Sequence, residues 1–330
     1  MAQTKLDQQL LAIIQDAFQL EERPYLVLAE QLGSDEQSVF AAVENLRQSG
    51  IIRRIGGVYD SKALGFISRL CAGKVCNVDK LADAVNEIPA ITHNYVRSHE
   101  YNVWFTVIAE SEDEIRKIVD GLCTSTDLHD VHILSATKKF KINTVMGAGA
   151  PVDSRQLTVD SGVILSEARN SDLSLRKQSP AGILSDSDRA RIRVACTDIP
   201  HTLTPFKDWG VSCEELRDDL AQKRMRRFGA ILRHQEAGFA YNAMVCFGLD
   251  ERRETKDERG WALAKKPYVS HCYERPVFEG FPYSLYAMMH ARSAEDLECY
   301  IKDAAASIGN PEYVVLHSVK ELKKTSFRFF

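Results

Sequence analysis

The sequence has no run of 18 or more apolar residues, the length at which a helix becomes a candidate for crossing a membrane. Its first ten residues, MAQTKLDQQL, lack the apolar core of a secretory signal. Its eight cysteines include no C-x-x-C pair, so neither a zinc site nor a disulfide framework is indicated. We therefore expect a cytoplasmic protein with reduced thiols and no membrane partner.

Positive charge is also scarce. The 42 lysines and arginines are outnumbered by 46 aspartates and glutamates, for a formal net charge of -4, whereas nucleic-acid-binding domains are usually strongly basic. No P-loop, Ser-His-Asp elbow or H-E-x-x-H motif is present. The composition, 45% hydrophobic and 27% charged in 330 residues, is that of a globular protein with two ordinary domains or four small ones.

Three sequence blocks occur twice in the same order. The first copy has RRIGG at 53–57, GF at 65–66 and THNYVR at 92–97, followed by YNVWF at 101–105. The second has RRFGA at 226–230, GF at 238–239 and SHCYER at 270–275, followed by YSLYA at 283–287. Repeated blocks in one order indicate a duplicated unit. Between the copies, residues 147–183 are rich in Ser, Asp, Gly and Ala, which predicts a linker.

The start of each copy predicts a winged helix-turn-helix. In the first copy, a Thr4-x-x-Asp7 cap opens one helix, Pro24 opens a second, and a Ser34-x-x-Gln37 capping box opens a third. A strand at 51–55 and a Gly-Gly turn would then form the wing. The second copy repeats this plan with caps at Ser185 and Ser212 and a shorter third helix.

The rest of each copy predicts a ferredoxin-like sandwich. In the first copy, strands at 67–75, 92–98, 101–109 and 131–142 alternate with helices at 78–86 and 112–122, in the order βαββαβ. The fold class is therefore α+β, a tandem repeat of winged helix-turn-helix plus sandwich. The predicted boundaries are 1–60, 61–146, 184–236 and 237–330, with the linker at 147–183.

This combination resembles the leucine-responsive regulators, so a transcriptional regulator is one alternative. Recognition helices generally carry cations in their first turns to meet phosphates and base edges. Residues 34–49 instead carry Asp35, Glu36 and Glu44 against Arg47, and residues 212–222 carry four carboxylates against Arg217. We therefore expect no specific DNA binding.

A His-x-Tyr-x-Arg triplet occurs in both copies. Because alternate residues of a strand share one face, the three side chains of each triplet point together. One such triplet is readily explained as a half-exposed strand face, but its recurrence at an equivalent place favours a ligand site. The triplets are His93, Tyr95 and Arg97, and His271, Tyr273 and Arg275.

Aromatic and basic residues surround the triplets in the sequence. The aromatic candidates follow each triplet: Tyr101, Trp104, Tyr283 and Tyr286. The basic candidates lie in the predicted wings and in the last predicted strand of each copy, which we call its closing strand: Arg53, Arg54, Arg226, Arg227, Lys138, Lys139, Lys141, Lys323, Lys324 and Arg328. An aromatic cavity fringed by cations suits a flat polyanion, because arginine forks match carboxylates.

The repeated blocks resemble the siroheme decarboxylases, the first half being similar to the A-type subunit and the second to the B-type. The run SHCYERP at 270–276 is the most specific part of this resemblance, which covers nearly all of the chain outside the linker. It implies non-oxidative removal of the C12 and C18 acetate carboxyl groups of siroheme, giving 12,18-didecarboxysiroheme for heme or heme d1 biosynthesis. It implies no cofactor beyond the iron of the substrate.

The resemblance also implies roles for the triplets. His271 and His93 become candidate proton donors, and His271 also a candidate axial ligand of the substrate iron. Arg275 and Arg97 become carboxylate clamps, with the tyrosines packing on or hydrogen-bonding the macrocycle. Five of the seven histidines outside the triplets are expected to be core or surface residues: His132, His201, His234, His290 and His317.

Three further expectations concern the whole chain. The residues around the second triplet, Cys272 and Pro276, favour the second half as the active one. The two halves are expected to pair within one chain as a pseudo-dimer, alone or within a larger homo-oligomer. A heme-binding sensor without turnover remains the other alternative.

Overall fold

The computed structural model describes residues 4–142, 184–233, 239–249, 253–325 and 327–330. The predicted linker at 147–183 and Gly238 of the repeated Gly-Phe pair lie outside these ranges. Helices in the described part are α1 (Lys5–Ile14), α2 (Pro24–Leu32), α3 (Glu36–Gln48), α4 (Val78–Asn86), α5 (Glu112–Ser125), α6 (Asp186–Ala195), α7 (Pro205–Trp209), α8 (Cys213–Ala221), α9 (Arg253–Ala264) and α10 (Ala294–Ser307). Strands are β1 (Ile52–Tyr59), β2 (Ile67–Lys74), β3 (Ile91–Arg97), β4 (Val103–Ala109), β5 (His129–Leu134), β6 (Lys138–Ile142), β7 (Met225–Leu232), β8 (Tyr241–Phe247), β9 (Val269–Glu274), β10 (Leu285–Ala291) and β11 (Tyr313–Lys324).

The helix starts follow the predicted capping chemistry with one exception. Thr4 and Ser185 each form a reciprocal capping box, with Asp7 and Asp188 respectively, as predicted. Helix α3, however, is capped by Asp35, whose carboxylate accepts from Ser38 N at 2.9 Å, so the predicted cap at Ser34 was wrong by one residue. A carboxylate at this position also complements the positive end of the helix.

The two wings pair with each other. Strands β1 and β7 form an antiparallel two-stranded sheet in which Gly56 lies opposite Gly229. A side chain at Gly56 would meet the Thr197 carbonyl at 2.4 Å, and one at Gly229 would meet the Ile14 carbonyl at 2.6 Å. Each glycine of the repeated block therefore lets its wing approach the first helix of the other copy. The two helix-turn-helix units consequently share one hydrophobic core.

The remaining strands form one sheet in the order β5-β2-β4-β3-β11-β8-β10-β9-β6. Each copy has the predicted βαββαβ order, but the two sandwiches are joined. The strand predicted at 131–142 is two strands: β5 pairs with β2 of its own copy, and β6 pairs with β9 of the second. In the same way, β11 pairs first with β8 and then with β3.

Because only residues 135–137 separate β5 from β6, the sheet closes into a ring. The closing strand of each copy runs from the half of the sheet formed by its own copy into the half formed by the other, so the described strands have no open edge where the two halves meet. We call the face away from the helices the inner face. Helices α4 and α5, and α9 and α10, cover the outer face of the two halves with separate cores.

The inner face carries a third core built from both copies. Its buried members include Trp104 of β4, Cys246 of β8, Tyr286 of β10 and Leu316 of β11. The rings of Trp104 and Tyr286 lie 6.2 Å apart. Both triplets lie on strands of this face, so the closed ring brings the two candidate sites together around one interior. Among the residues described, no helix is long and apolar enough to cross a membrane.

Candidate functional site

Both triplets occupy the inner face, with the same local geometry. Residues opposite each other in neighbouring strands share a face, and Tyr95 lies opposite Trp104 as Tyr273 lies opposite Tyr286. A register shift precedes the histidine in each half. The pairing of β3 with β4 and of β9 with β10 therefore places Tyr95 and Tyr273 at equivalent positions.

Each histidine is oriented by the hydroxyl residue before it. His93 Nδ1 lies 2.9 Å from Thr92 Oγ1, and His271 Nδ1 lies 2.9 Å from Ser270 Oγ. Because the hydrogen bond at Nδ1 sets the orientation of the ring, it also sets the direction in which Nε2 points. Orientation of an imidazole through one nitrogen is what proton transfer or metal ligation at the other requires.

Each arginine lies over its own tyrosine ring, at 4.9 Å for Arg97 over Tyr95 and 5.0 Å for Arg275 over Tyr273. Arg97 donates to the Leu316 carbonyl at 3.2 Å, and Arg275 to the Leu134 carbonyl at 2.9 Å. Burial lowers the pKa of Arg97 to about 10 and lowers that of Arg275. Within the described part of the chain, neither guanidinium pairs with a carboxylate, and Arg97 also donates to Ser318 Oγ at 2.6 Å.

The two arginines of each wing are neighbours on a strand, so their side chains point to opposite sides of it. Arg53 acts electrostatically on Tyr95, and Arg226 on Tyr273, so the first arginine of each pair belongs to the triplet region. The second points to the other side: Arg54 donates to the Gly57 carbonyl at 3.2 Å. Arg227 donates to the carbonyls of Gln15 and Ala230. The structure therefore brings Arg53 and Arg226, but not Arg54 and Arg227, toward the predicted sites.

The closing strands give the two sites opposite charge. Lys139 of β6 lies opposite Tyr273, whereas Glu321 of β11 lies opposite Tyr95. Partial removal from water, then repulsion by cations including Arg226, lowers the pKa of Lys139. The second site therefore has a cation where the first has a carboxylate.

The other closing-strand lysines serve the outer face. Lys323 Nζ donates to the carbonyls of Val85 at 2.8 Å and Ile88 at 2.7 Å, at the end of α4. Lys141 Nζ donates likewise to the Lys266 carbonyl at 2.8 Å, and Lys138 pairs with Asp257 of α9. Lys323 is thus not brought to the triplets. The backbone of Lys324 lies opposite His93, and Arg328 is exposed in the C-terminal tail.

The aromatic candidates also divide. Tyr286 is buried beside Tyr273, and Trp104 is buried with its Nε1 donating to the Tyr101 carbonyl at 2.8 Å. Tyr283 packs edge-on against Phe281 at 4.9 Å. Tyr101 lies apart from the triplets, in a cavity of about 290 Å³ lined by Lys74, Glu100, Asp130, His132, Glu279 and Gly280.

A further histidine, not predicted as part of the site, lies beside the second triplet. Ser270 Oγ lies 2.9 Å from His290 Nε2 as well as 2.9 Å from His271 Nδ1, so three side chains form a hydrogen-bonded chain. His290 is buried, and its backbone N–H donates to Tyr268. The equivalent N–H in the first half, that of Ile108, donates to Ala90. The second half therefore has a histidine where the first has isoleucine.

Two protein-family models match the chain. The model of the AsnC-like ligand binding domain matches residues 63–141 and 236–323, together half of the chain. The model described as the siroheme decarboxylase NirDL-like HTH domain matches residues 7–53. Both types of domain predicted from the sequence therefore have a matching family model.

Comparison with known proteins extends the similarity to nearly the whole chain. The siroheme decarboxylase of Hydrogenobacter thermophilus is 29% identical over 332 residues, covering 97% of this chain and 94% of that protein. The siroheme decarboxylase alpha subunit of Desulfovibrio desulfuricans is 47% identical over 139 residues, covering 42% of this chain and 80% of that subunit. The crystal structure of the siroheme decarboxylase NirDL in co-complex with an iron-uroporphyrin III analogue matches with a TM-score of 0.66 at 25% identity, covering 98% of this chain and 94% of that one.

Proposed function

Because the chain belongs to the siroheme decarboxylase family, we propose that it removes the carboxyl groups of the C12 and C18 acetate side chains of siroheme, giving 12,18-didecarboxysiroheme. The reaction is a carboxy-lyase reaction without net oxidation. Each step breaks one carbon–carbon bond, releases CO2 and adds one proton to the remaining methylene carbon. The electron pair left on that carbon is delocalised into the macrocycle until the proton arrives.

The second triplet is the reacting site. The observation that carries this assignment is the hydrogen-bonded chain of His271, Ser270 and His290; the first half has Ile108 at the position of His290. Lys139 adds to it, because siroheme is a polyanion and Glu321 at the equivalent position would repel it. The first triplet then has an architectural role.

His271 delivers the proton and His290 resupplies it. A general acid is most effective when its pKa is near the working pH, which is the property of imidazole. Ser270 can accept from one ring and donate to the other, because a hydroxyl does both. His271 Nε2 would thus protonate the methylene carbon while Nδ1 is recharged through Ser270. Ligation of the iron by His271 is the alternative role of the same nitrogen.

Arg275, Arg226 and Lys139 hold carboxylates that are not lost. A planar guanidinium over an aromatic ring is fixed in direction, so a carboxylate on it fixes which acetate faces His271. Tyr273 supplies the adjoining aromatic surface. Positioning of this kind accounts for selection among chemically similar side chains.

The helix-turn-helix pair argues against DNA binding as the function. Arg47, the single cation of α3, is almost buried and pairs with Asp198 of the second copy. Arg217 of α8 pairs with Glu21 of the first copy, at 2.7 Å. The cations that could meet phosphates therefore join the two copies instead, and the helix-turn-helix units act as a pairing device within one chain.

Anaerobic incubation of the purified chain with siroheme tests the function. We expect CO2 release and, by mass spectrometry, a product lighter by two carboxyl groups. Siroheme recovered unchanged would refute decarboxylation. Tight binding of siroheme with no CO2 would identify a sensor, and siroheme-dependent retention of upstream DNA in a gel would identify a regulator.

A further inference from the structure

We propose that Arg275, Ser284 and Tyr286 form a buried subsite that binds one carboxylate of the tetrapyrrole, and that the first half has no such subsite. The inference rests on the proposed function and goes beyond it, because it locates where a retained carboxylate is bound. It concerns the inner end of the second triplet, away from His271.

The three side chains lie together on two neighbouring strands. Arg275 N donates to the Ser284 carbonyl at 2.9 Å, which continues the pairing of β9 with β10 by one residue. Tyr286 lies opposite Tyr273. Since alternate residues share a face, Ser284 and Tyr286 lie on the inner face with Arg275 between the two tyrosines. Opposite residues in such a pair have Cβ atoms roughly 5 Å apart.

Each of the three offers a buried donor. Tyr286 is 2% exposed and Ser284 is 4% exposed, and neither hydroxyl has a hydrogen-bond partner among the described residues. Arg275 Nε is buried and equally without one. A buried polar atom left unpaired destabilises the fold, so three in one place call for an explanation. Three buried N–H and O–H donors on adjoining residues at the ends of β9 and β10 match the acceptor-only chemistry of a carboxylate.

Neighbouring charges favour an anion at this point. The side chains that act most strongly on the pKa of Arg275 are tyrosines and thiols, and those that act on Tyr286 are Cys246 and Arg275 itself. Burial raises the pKa of Tyr286 and of the nearby Cys246 thiol, so both remain neutral at physiological pH. Tyr286 is therefore a hydrogen-bond donor beside an uncompensated guanidinium.

In the first half, the side chains at the equivalent positions form hydrogen bonds with other residues of the protein. Asn102, opposite Arg97, accepts from Val75 N at 3.0 Å and donates to the Val75 carbonyl at 2.8 Å. Trp104, opposite Tyr95, donates to the Tyr101 carbonyl. Among the described atoms at these positions, Arg97 Nε is the one left unpaired, and Arg97 is 5% exposed, whereas Arg275 is half-buried. Arg275 is therefore the more exposed of the two arginines.

Tyr286→Phe separates a binding role from a structural one by giving two changes of opposite sign. Removing an unpaired buried hydroxyl should raise the unfolding temperature of the ligand-free protein by about 2–4 °C. The same change should weaken binding of iron-uroporphyrin III, followed by its Soret band, about tenfold, the loss expected for one hydrogen bond to a charged group. Binding of iron octaethylporphyrin, which has no carboxylates, should not change.

Tyr268→Phe is the matched control. The Tyr268 hydroxyl is paired with Asp303 on the outer face, so this variant should lower or leave the unfolding temperature and leave both affinities unchanged. If Tyr286→Phe leaves the affinity for iron-uroporphyrin III unchanged, and either lowers the unfolding temperature or leaves it unchanged too, the subsite is overturned. The proposed function would then still stand. If the wild-type chain itself fails to bind iron-uroporphyrin III, the proposed function fails, and the subsite with it.

Discussion

Ser270→Ala isolates the proposed proton path with the smallest change of structure. Ser270 is buried, and the substitution removes one oxygen that is 2.9 Å from each of two imidazole nitrogens. A hydrogen bond to a charged group is worth about 1.5–3 kcal/mol, and 1.4 kcal/mol corresponds to a tenfold change in rate. We therefore expect kcat for CO2 release to fall roughly 10- to 150-fold, with KM nearly unchanged.

Steady-state CO2 release under anaerobic conditions, measured across pH, provides the assay. His290→Ile copies the residue of the first half and should produce the same loss, and the double variant should be little worse than either, because both break one chain. Thr92→Val is the control: it removes the equivalent hydroxyl beside His93, where no third histidine follows, and should cost less than about threefold. A Ser270→Ala enzyme within twofold of wild type, or equal losses in both halves, would refute the proton path.

Three other predictions address charge, pairing and pH. Lys139→Glu should raise KM for siroheme roughly 30-fold, because reversing a charge about 4 Å from an anion in water costs about 2 kcal/mol. Glu321→Lys should not raise KM. Equal effects of the two variants would show that the two sites do not differ in this way. Asp198→Ala leaves the nearly buried Arg47 unpaired and should lower the free energy of unfolding by about 2–4 kcal/mol in urea titrations, and a loss below about 1 kcal/mol would contradict the pairing role. Hydrogen bonds from Ser185, then Arg191, lower the pKa of Asp188 from 3.8 to about 2, so the stability that this carboxylate contributes is present above pH 3.8 and lost as the pH falls toward 2. Asp188→Asn should therefore reduce the dependence of the thermal unfolding midpoint on pH over that interval. An unaltered pH dependence would exclude this carboxylate as its cause.

Local features of the fold could be predicted because local residues determine them. The capping residues Thr4 and Ser185, the position of Pro24 and the alternation of each triplet all follow from neighbours within a few positions. The duplication could be recognised in the sequence because some residues of the repeated blocks have the same structural role in both copies. Gly56 and Gly229, for instance, are small where each wing meets the other copy.

The exchange of closing strands could not be predicted, because strand partners are chosen by distant residues. A run such as 131–142 has the same alternation whether it pairs with one sheet or bends between two. The bend has consequences for side chains. Register shifts between Lys139 and Lys141, and between Glu321 and Lys323, turn Lys141 and Lys323 to the outer face, so the predicted ligand residue Lys323 does not lie at the triplets.

His290 was missed for a similar reason. Its partner Ser270 is 20 residues away and on a neighbouring strand, so the sequence gives no local signal that the two meet. The one available signal was the hydroxyl residue preceding the histidine in both copies, Thr92 and Ser270. That pattern predicts an oriented imidazole, but not what lies behind it.

A crystal structure of the chain with siroheme bound tests the central assignment most directly. We expect the macrocycle to lie against Tyr273, with an acetate side chain at His271 and another carboxylate within hydrogen-bond distance of Arg275 and Tyr286. Siroheme bound instead against Tyr95 and Glu321, with the second triplet empty, would contradict it.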